Sequence, residues 1–403
     1  MDRSRYQGEH ILADGIRLST DTWQTGINNN VLIFGPSGAG KTRGYVRPNI
    51  RHNRNESIIV SDTKGVLFGE FKDSLEKDGY TVLNIDFTDL SAGWGYNPLD
   101  YIGYDPVTDT YSEKDIIALT HCLVPNTSNS DPYWDNAARQ YLAFLVNYVL
   151  EALPEEQHTL EYVIMVMNLM GDKMLDLLIK ELSALKPGST IPGRYEAICI
   201  ASDSPRTDAS IKTVLATALD SLRFDEALAL YRKKDKIDLT MFGRQKTALF
   251  ITISDTDRSM DIIANALMTQ ILQVLCLMAD HEFENHCLDI PVRMYLDDFA
   301  TNLYIPDFDK TISVIRSREI YVSVILQSIT QLDALYGAPK ARTIMNNCDQ
   351  QLYMGGQDID TARFISERAN KNLATILSLP IGKGFLFIRG QKPRPISIYN
   401  QEC

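Results

Sequence analysis

Cysteine is scarce and scattered: six occur in 403 residues, none in a C-x-x-C pair, and only Cys276 and Cys287 lie as close as eleven positions. That spacing excludes a disulfide-built scaffold and fits reduced thiols in a cytoplasm. His281, His286 and Cys287 have no second ligand pair near them in sequence and read as a solvated helix end. Long apolar runs are also missing, since Tyr141–Leu150 and Ala266–Ala279 contain polar breaks and fall short of the roughly 20 residues a spanning helix needs. Met1-Asp2-Arg3-Ser4-Arg5 carries charge with no apolar stretch behind it, which excludes a secretion signal. There is no internal repeat and no low-complexity tract. Positive charge is in deficit: 40 Lys and Arg against 52 Asp and Glu leave a net charge of −12. A uniformly basic nucleic-acid coat is thereby excluded, although a locally basic channel is not.

What is present is ordinary globular composition, 44% apolar and 23% charged, over a length that suggests two or three domains at roughly 150 residues each. Short β-branched runs predict buried strands at Val31–Phe34, Ile58–Ser61, Thr81–Ile85, Thr247–Ile253, Val292–Leu296, Ile320–Leu326, Gln351–Met354 and Phe385–Ile388. Helical patterns separate most of them, as with Ile262, Ala266, Ile271 and Leu275, so the expectation is an α/β domain with a mainly parallel sheet. Between Tyr104 and Leu222 the strand signal stops. Ala138, Tyr141, Leu142, Leu145, Val146 and Val149 follow helical spacing there, as do Leu160–Leu169 and Ile211–Leu222, with loops at Lys186-Pro187-Gly188 and Ile191-Pro192-Gly193. The predicted organisation is an α/β domain over 1–103 and 223–403, interrupted by an inserted all-α domain over 104–222.

Gly35-Pro36-Ser37-Gly38-Ala39-Gly40-Lys41-Thr42 satisfies G-x-x-x-x-G-K-[ST] and follows the apolar run Val31–Phe34 directly. Glycines let successive backbone N–H groups turn toward phosphate oxygens, and the following helix start adds partial positive charge. Lys41 is placed to neutralise the β- and γ-phosphates of ATP, and the Thr42 hydroxyl to reach Mg²⁺. The metal needs a second anchor at the end of a neighbouring strand, and Val292-Arg293-Met294-Tyr295-Leu296 ends in Asp297-Asp298. Asp297 is the expected Mg²⁺ residue and Asp298 the expected base or orienter for the attacking water. Gln327, directly after Ile320–Leu326, is either a γ-phosphate sensor or a plain strand-end amide.

An ordered set of motifs resembles the type IV coupling proteins of conjugation and type IV secretion, the TraG/TraD-like group. The set comprises Thr25-Gly26-Ile27-Asn28-Asn29-Asn30 before the phosphate loop, Arg47-Pro48-Asn49, Ser61-Asp62-Thr63-Lys64-Gly65 and Trp94-Gly95-Tyr96-Asn97-Pro98-Leu99. It continues with Asp131-Pro132-Tyr133-Trp134, Leu296-Asp297-Asp298-Phe299-Ala300, Ser317-Arg318-Glu319, Gln327-Ser328, Asn347-Cys348-Asp349 and Gly355-Gly356. The resemblance implies a RecA-like P-loop ATPase that works as a homo-hexamer at the cytoplasmic face of the inner membrane, or as a monomer if isolated as a soluble fragment. It implies partners of three kinds: DNA with its relaxase, effector proteins, and inner-membrane secretion components. A ring would complete each site with an arginine from its neighbour, for which Arg316 and Arg318 are the candidates.

Asp62 and Lys64 fit the family motif either as nucleotide-site support or as loop caps, and both readings stand. Trp94, Tyr96 and Trp134 flank element starts rather than a basic groove, which favours packing over base stacking. Two departures from the family pattern carry weight. Asp298 stands where Glu is usual, one methylene shorter, so hydrolysis is expected to be slow while binding survives. The usual N-terminal transmembrane helices have no counterpart in this sequence, which is then a soluble portion or a form that docks on membrane partners. The leading expectation is an ATP-driven substrate pump; the alternative is a nucleotide-gated docking adaptor that hydrolyses little. A P-loop kinase reading, which calls for a compact lid, fits the long helical insertion poorly.

Overall fold

The computed structural model describes residues 8–52, 54–125, 132–170, 173–186, 188–201 and 204–400. Met1–Arg5, Asp131, Pro187 and Cys403, which entered the sequence reading, lie outside them. The chain forms two compact units. One comprises residues 1–88, 238–258 and 271–403; the other comprises 89–237 and 259–270. The helical unit thus takes in residues 89–103, 223–237 and 259–270 besides the 104–222 of the sequence reading.

In chain order the strands are β1 (Glu9–Ala13), β2 (Ile16–Ser19), β3 (Val31–Phe34), β4 (Ser57–Asp62), β5 (Thr81–Asp86), β6 (Tyr104–Asp105) and β7 (Thr110–Tyr111). They continue with β8 (Thr247–Thr252), β9 (Val292–Leu296), β10 (Ile320–Leu326), β11 (Gln350–Tyr353), β12 (Lys383–Ile388) and β13 (Arg394–Ser397). Nine of them build one sheet in the order β13-β12-β11-β3-β10-β9-β4-β8-β5. The seven strands from β11 to β5 run parallel, and β12 and β13 add an antiparallel edge. All eight strands expected from the sequence are present, and β3, β4, β8, β9, β10 and β11 are buried at every position. Burial on both faces explains why their sequences are continuous apolar runs rather than alternating ones. It also sets their energetic weight, since enclosing one Ile or Val side chain stabilises by about 1.5–3 kcal/mol.

Five strands went unexpected, among them the short antiparallel pair β6–β7, two residues each, within the stretch after Tyr104 where no strand was expected. β1 and β2 form a hairpin through Asp14-Gly15, with Gly15 at φ +66°. β13 contains Pro395, which cannot donate to a ladder and is tolerated because the strand lies at the sheet edge.

The sheet has two chemically different ends. At the C-terminal ends of the parallel strands lies the phosphate-loop motif. At the far end, where those strands begin, buried polar side chains tie them together. Arg293 on β9 makes a two-pronged pair with Glu56, at 2.7 and 3.1 Å, and donates to the Asn29 carbonyl at 3.0 Å. Burial opposes the guanidinium charge, but the Glu56 carboxylate outweighs it and holds the pKa above its ordinary value. Asn28 and Asn30 both donate to the Asn347 carbonyl, at 2.9 and 3.1 Å, the Asn28 N–H donates to Asp349 at 2.7 Å, and the Val322 N–H donates to Asn30 at 3.0 Å. Two segments more than 300 residues apart in the chain are thus hydrogen-bonded partners.

The helical unit is organised around Tyr133–Ala152, whose Ala138, Tyr141, Leu142, Leu145, Val146 and Val149 are all buried. The Tyr141 hydroxyl donates to Asp208 at 2.8 Å on the helix Pro205–Ala218. Tyr96 is fully buried, stacks on Tyr101 and donates to Gln270, so it is a packing residue. Among the described residues one helix, Asp261–His281, is long and apolar enough to cross a membrane, with mean hydropathy 1.9. The sequence reading took its apolar run as too short. The helix does reach the length, but 67% of its apolar window is buried inside the protein, as in a core helix.

Candidate functional site

The loop after β3 is shaped by its glycines: Gly38 and Gly40 stand at φ +78° and +89°, where a side chain would be strained. The Gly35 N–H donates to the Leu326 carbonyl at 3.1 Å, which fastens the loop's start to the end of β10. Lys41 is buried, and its ammonium donates to the carbonyls of Gly35 (2.9 Å) and Pro36 (3.2 Å). The lysine is thereby folded back over the loop it belongs to. The helix that follows opens with a π-turn, Thr42–Val46, before the α-helical Arg47–His52. Pro48 has no N–H to give back to the preceding turn, which accounts for the wider winding there.

Thr42 Oγ1 donates to Asp297 Oδ2 at 2.6 Å, across 255 residues of sequence. The two groups expected to share a metal are therefore already in contact. Burial raises the Asp297 carboxyl above the usual carboxylate range and the neighbouring Asp298 adds to this, while the Thr42 bond works against it. Ser61, at the end of β4, fixes the position: its hydroxyl accepts from the Asp297 N–H at 2.8 Å and donates to the Asp297 carbonyl at 3.2 Å.

Asp298 adopts the left-handed conformation at φ +48°, a costly state for a residue other than glycine. Its Oδ1 is buried, has no hydrogen-bond partner among the described residues and lies 3.9 Å from the Lys41 ammonium. An orphaned carboxylate oxygen beside a lysine, a half-buried carboxylate with a raised pKa and a hydroxyl bonded to it form a donor set that fits a metal-bound triphosphate.

Gln327 lies at the end of β10 in a cleft of about 250 Å³ lined also by Pro36, Tyr353, Gly355, Gly356 and Asp358. Its backbone N–H donates to Gln331. The cleft adjoins the phosphate loop through Pro36, so Gln327 is on the right side of the sheet. Asp62 turns its carboxylate onto its own loop, accepting from the N–H groups of Lys64 and Leu67 at 3.1 and 2.6 Å.

Arg316 and Arg318 are not brought to this site. They sit in the turn Ile315–Arg318 that leads into the start of β10, whereas the phosphate loop follows the ends of β3 and β10. Seven residues of strand separate the two ends, roughly 20 Å. Arg318 is held in its own chain by Asp280 at 2.7 Å and by the Val314 carbonyl at 2.9 Å. Arg316 makes no ion pair among the described residues and is half-buried.

The sequence reading assigned no role to Ser61, Gly44 or the Tyr45 hydroxyl, which bonds His10 Nε2 and Ser323, both at 2.8 Å. Ser61 announces itself only as a hydroxyl at the end of an apolar strand, and Gly44 as the first glycine past the loop.

The family model for type IV secretory system conjugative DNA transfer matches residues 2–373. Among solved structures, the bacterial conjugative coupling protein TrwBdeltaN70, in a trigonal form with sulphate, is similar at 15% identity and TM-score 0.72, over 98% of this chain and 90% of that one. The plasmid coupling protein TrwB in complex with ADP and Mg²⁺ is similar at 16% identity and TM-score 0.69, over 98% and 90%. VirB4 of Thermoanaerobacter pseudethanolicus follows at 14% identity and TM-score 0.56, over 100% and 98%. At such identities the structural likeness carries the fold, a RecA-like P-loop domain, and nothing finer. No curated protein is a significant match to the sequence.

Proposed function

Because the chain belongs to the type IV secretory system conjugative DNA transfer family, we propose that it is an ATPase coupling protein that recruits DNA with its relaxase, or protein substrates, and drives them toward the secretion channel. The observation that carries this reading is the 2.6 Å contact between Thr42 Oγ1 and Asp297 Oδ2, which joins the two halves of a magnesium-nucleotide site. The coupling protein TrwB, similar in fold, has been crystallised with ADP and Mg²⁺, and the residues here suit the same ligand.

Bound Mg·ATP supplies the transferable phosphoryl group and the cation that spreads its charge. Gly35, Pro36, Ser37, Gly38, Ala39 and Gly40 wrap the phosphates with backbone. Lys41 would leave its carbonyl partners to meet them, and Thr42 and Asp297 would hold the metal. Asp298 orients the attacking water and accepts its proton at Oδ1, the oxygen without a partner. Gln327 monitors the γ end. An arginine reaches the site only from a neighbouring copy in a hexameric ring, and Arg316 is the stronger candidate because Asp280 occupies Arg318. The ring works at the cytoplasmic face of the inner membrane, beside other secretion components.

One observation favours a second reading, a nucleotide-gated adaptor with little hydrolysis: the shorter Asp298 has its partnerless oxygen 3.9 Å from the Lys41 ammonium. Steady-state phosphate release with single-stranded DNA, duplex DNA and no polymer, run beside native mass measurement with ATP, decides between them. A pump gives polymer-stimulated turnover in the hexamer fraction. A rate no higher than that of Lys41→Ala under all three conditions supports the adaptor.

A further inference from the structure

The phosphate loop accounts for the triphosphate but leaves the nucleoside without a wall, and the C-terminal segment supplies one. β13 pairs with β12 so that Ser397 lies opposite Lys383, while Phe385 lies opposite Tyr353 and Tyr353 opposite Phe34. β13 therefore runs toward the phosphate-loop end of the sheet and delivers Ile398 and Tyr399 there. The Ile398 N–H donates to the Gly382 carbonyl at 2.9 Å, and the Ser397 carbonyl accepts from the Asp14 N–H at 3.0 Å, which fixes the segment from both sides.

The contact with the loop helix is close enough to dictate a glycine. A Cβ on Gly44 would lie 2.6 Å from Ile398 Cγ2 and 2.9 Å from the Tyr399 carbonyl oxygen, and a Cβ on Gly40 would meet the same Ile398 methyl at 4.0 Å. Gly40 and Gly44 bracket Thr42. With Lys41, Asp297 and Asp298 at the γ end, the α end of a bound triphosphate would fall at the first turn of this helix, beside the segment. Ile381, next to the carbonyl that holds Ile398, is wholly exposed, an apolar side chain with no protein cover.

We propose that Ile398 and Tyr399, with Ile381 beside them, form the wall against which the nucleoside of the bound nucleotide packs. The ligand chemistry is a ribonucleoside with a planar heterocyclic base, for which a phenol ring and aliphatic groups are suitable partners. This rests on the phosphate-loop reading above.

The test is isothermal titration of Mg·ATP and of Mg·tripolyphosphate, which has no nucleoside, against the whole chain and the variants Tyr399→Ala, Gly44→Ala and Lys41→Ala. Tyr399→Ala should weaken ATP about tenfold while leaving tripolyphosphate within about twofold. Gly44→Ala should give the same split by pushing the segment aside, and Lys41→Ala should weaken both ligands. If Tyr399→Ala keeps the parent's ATP affinity, or loses ATP and tripolyphosphate equally, the nucleoside wall is overturned while the phosphate loop stands. If the parent binds neither ligand, or Lys41→Ala binds both as the parent does, the phosphate-loop reading falls and takes the wall with it.

Discussion

The two ends of the nine-stranded sheet solve opposite problems. At the far end the buried polar side chains that tie the strands together have partners: Arg293 has Glu56 and the Asn29 carbonyl, and Asn28 and Asn30 share Asn347. At the loop end Asp298 is strained and has an oxygen without a hydrogen bond, Asp297 is half-buried beside it, and Lys41 bonds carbonyls of its own loop with Asp298 3.9 Å away. The satisfied groups around Arg293 and Asn347 stiffen one end. Unsatisfied ones leave the other with free energy to release when a ligand arrives. The comparison teaches that substitutions at the two ends should separate cleanly into those that cost fold and those that cost function.

Lys41→Ala should give the largest effect, lowering ATP turnover by about 10²-fold or more through loss of the phosphate cation. Its melting temperature should stay close to the parent's; a large drop would mean that the lysine serves the fold as well, and the two ends would no longer be distinct. Glu56→Ala is the mirror experiment. It leaves the Arg293 charge buried without its partner and should cost about 3–5 kcal/mol in denaturant unfolding, with the nucleotide affinity of the folded fraction unchanged.

A smaller effect is expected from Asp298→Glu, which restores the reach the family usually has and should raise phosphate release severalfold at most. A fall in rate would indicate that the left-handed backbone at Asp298 is built around the shorter side chain. The smallest is a matter of pH. In the folded chain Asp297 keeps its proton to a higher pH than in the unfolded chain. Its contribution to stability is therefore complete below the usual carboxylate range and is lost as pH rises through the raised value. Asp297→Asn removes that loss, so without nucleotide its melting temperature should fall less than the parent's over that interval. Parallel pH curves would count against burial as the cause.

Much of this was written locally. The apolar strands are legible because burial on both faces demands continuous Val, Ile and Leu, and the phosphate loop because only glycines tolerate its turns. Asp297 follows from the need for a carboxylate at the end of a neighbouring strand. The Asp14-Gly15 turn between two alternating runs was a readable hairpin signal as well. Other features depend on partners that no local window contains. The asparagines at 28 and 30 mean nothing until Asn347 is placed beside them, and Arg316 and Arg318 look alike until Asp280 claims one of them. β13 is obscured by its proline, and the need for Gly44 appears only once Ile398 is packed on it.

The β1–β2 hairpin has a practical bearing on how shortened versions of this protein should be cut. Asn49, fully enclosed on the loop helix, spends its amide on one residue of that hairpin, accepting from the Ile11 N–H at 2.8 Å and donating to the Ile11 carbonyl at 2.9 Å. A truncation that begins downstream of Ser19 removes both partners and strips His10 from the Tyr45 hydroxyl. Such a trimmed domain would unlatch the very helix that carries Thr42, so a boundary chosen to tidy the N-terminus would be paid for in nucleotide affinity.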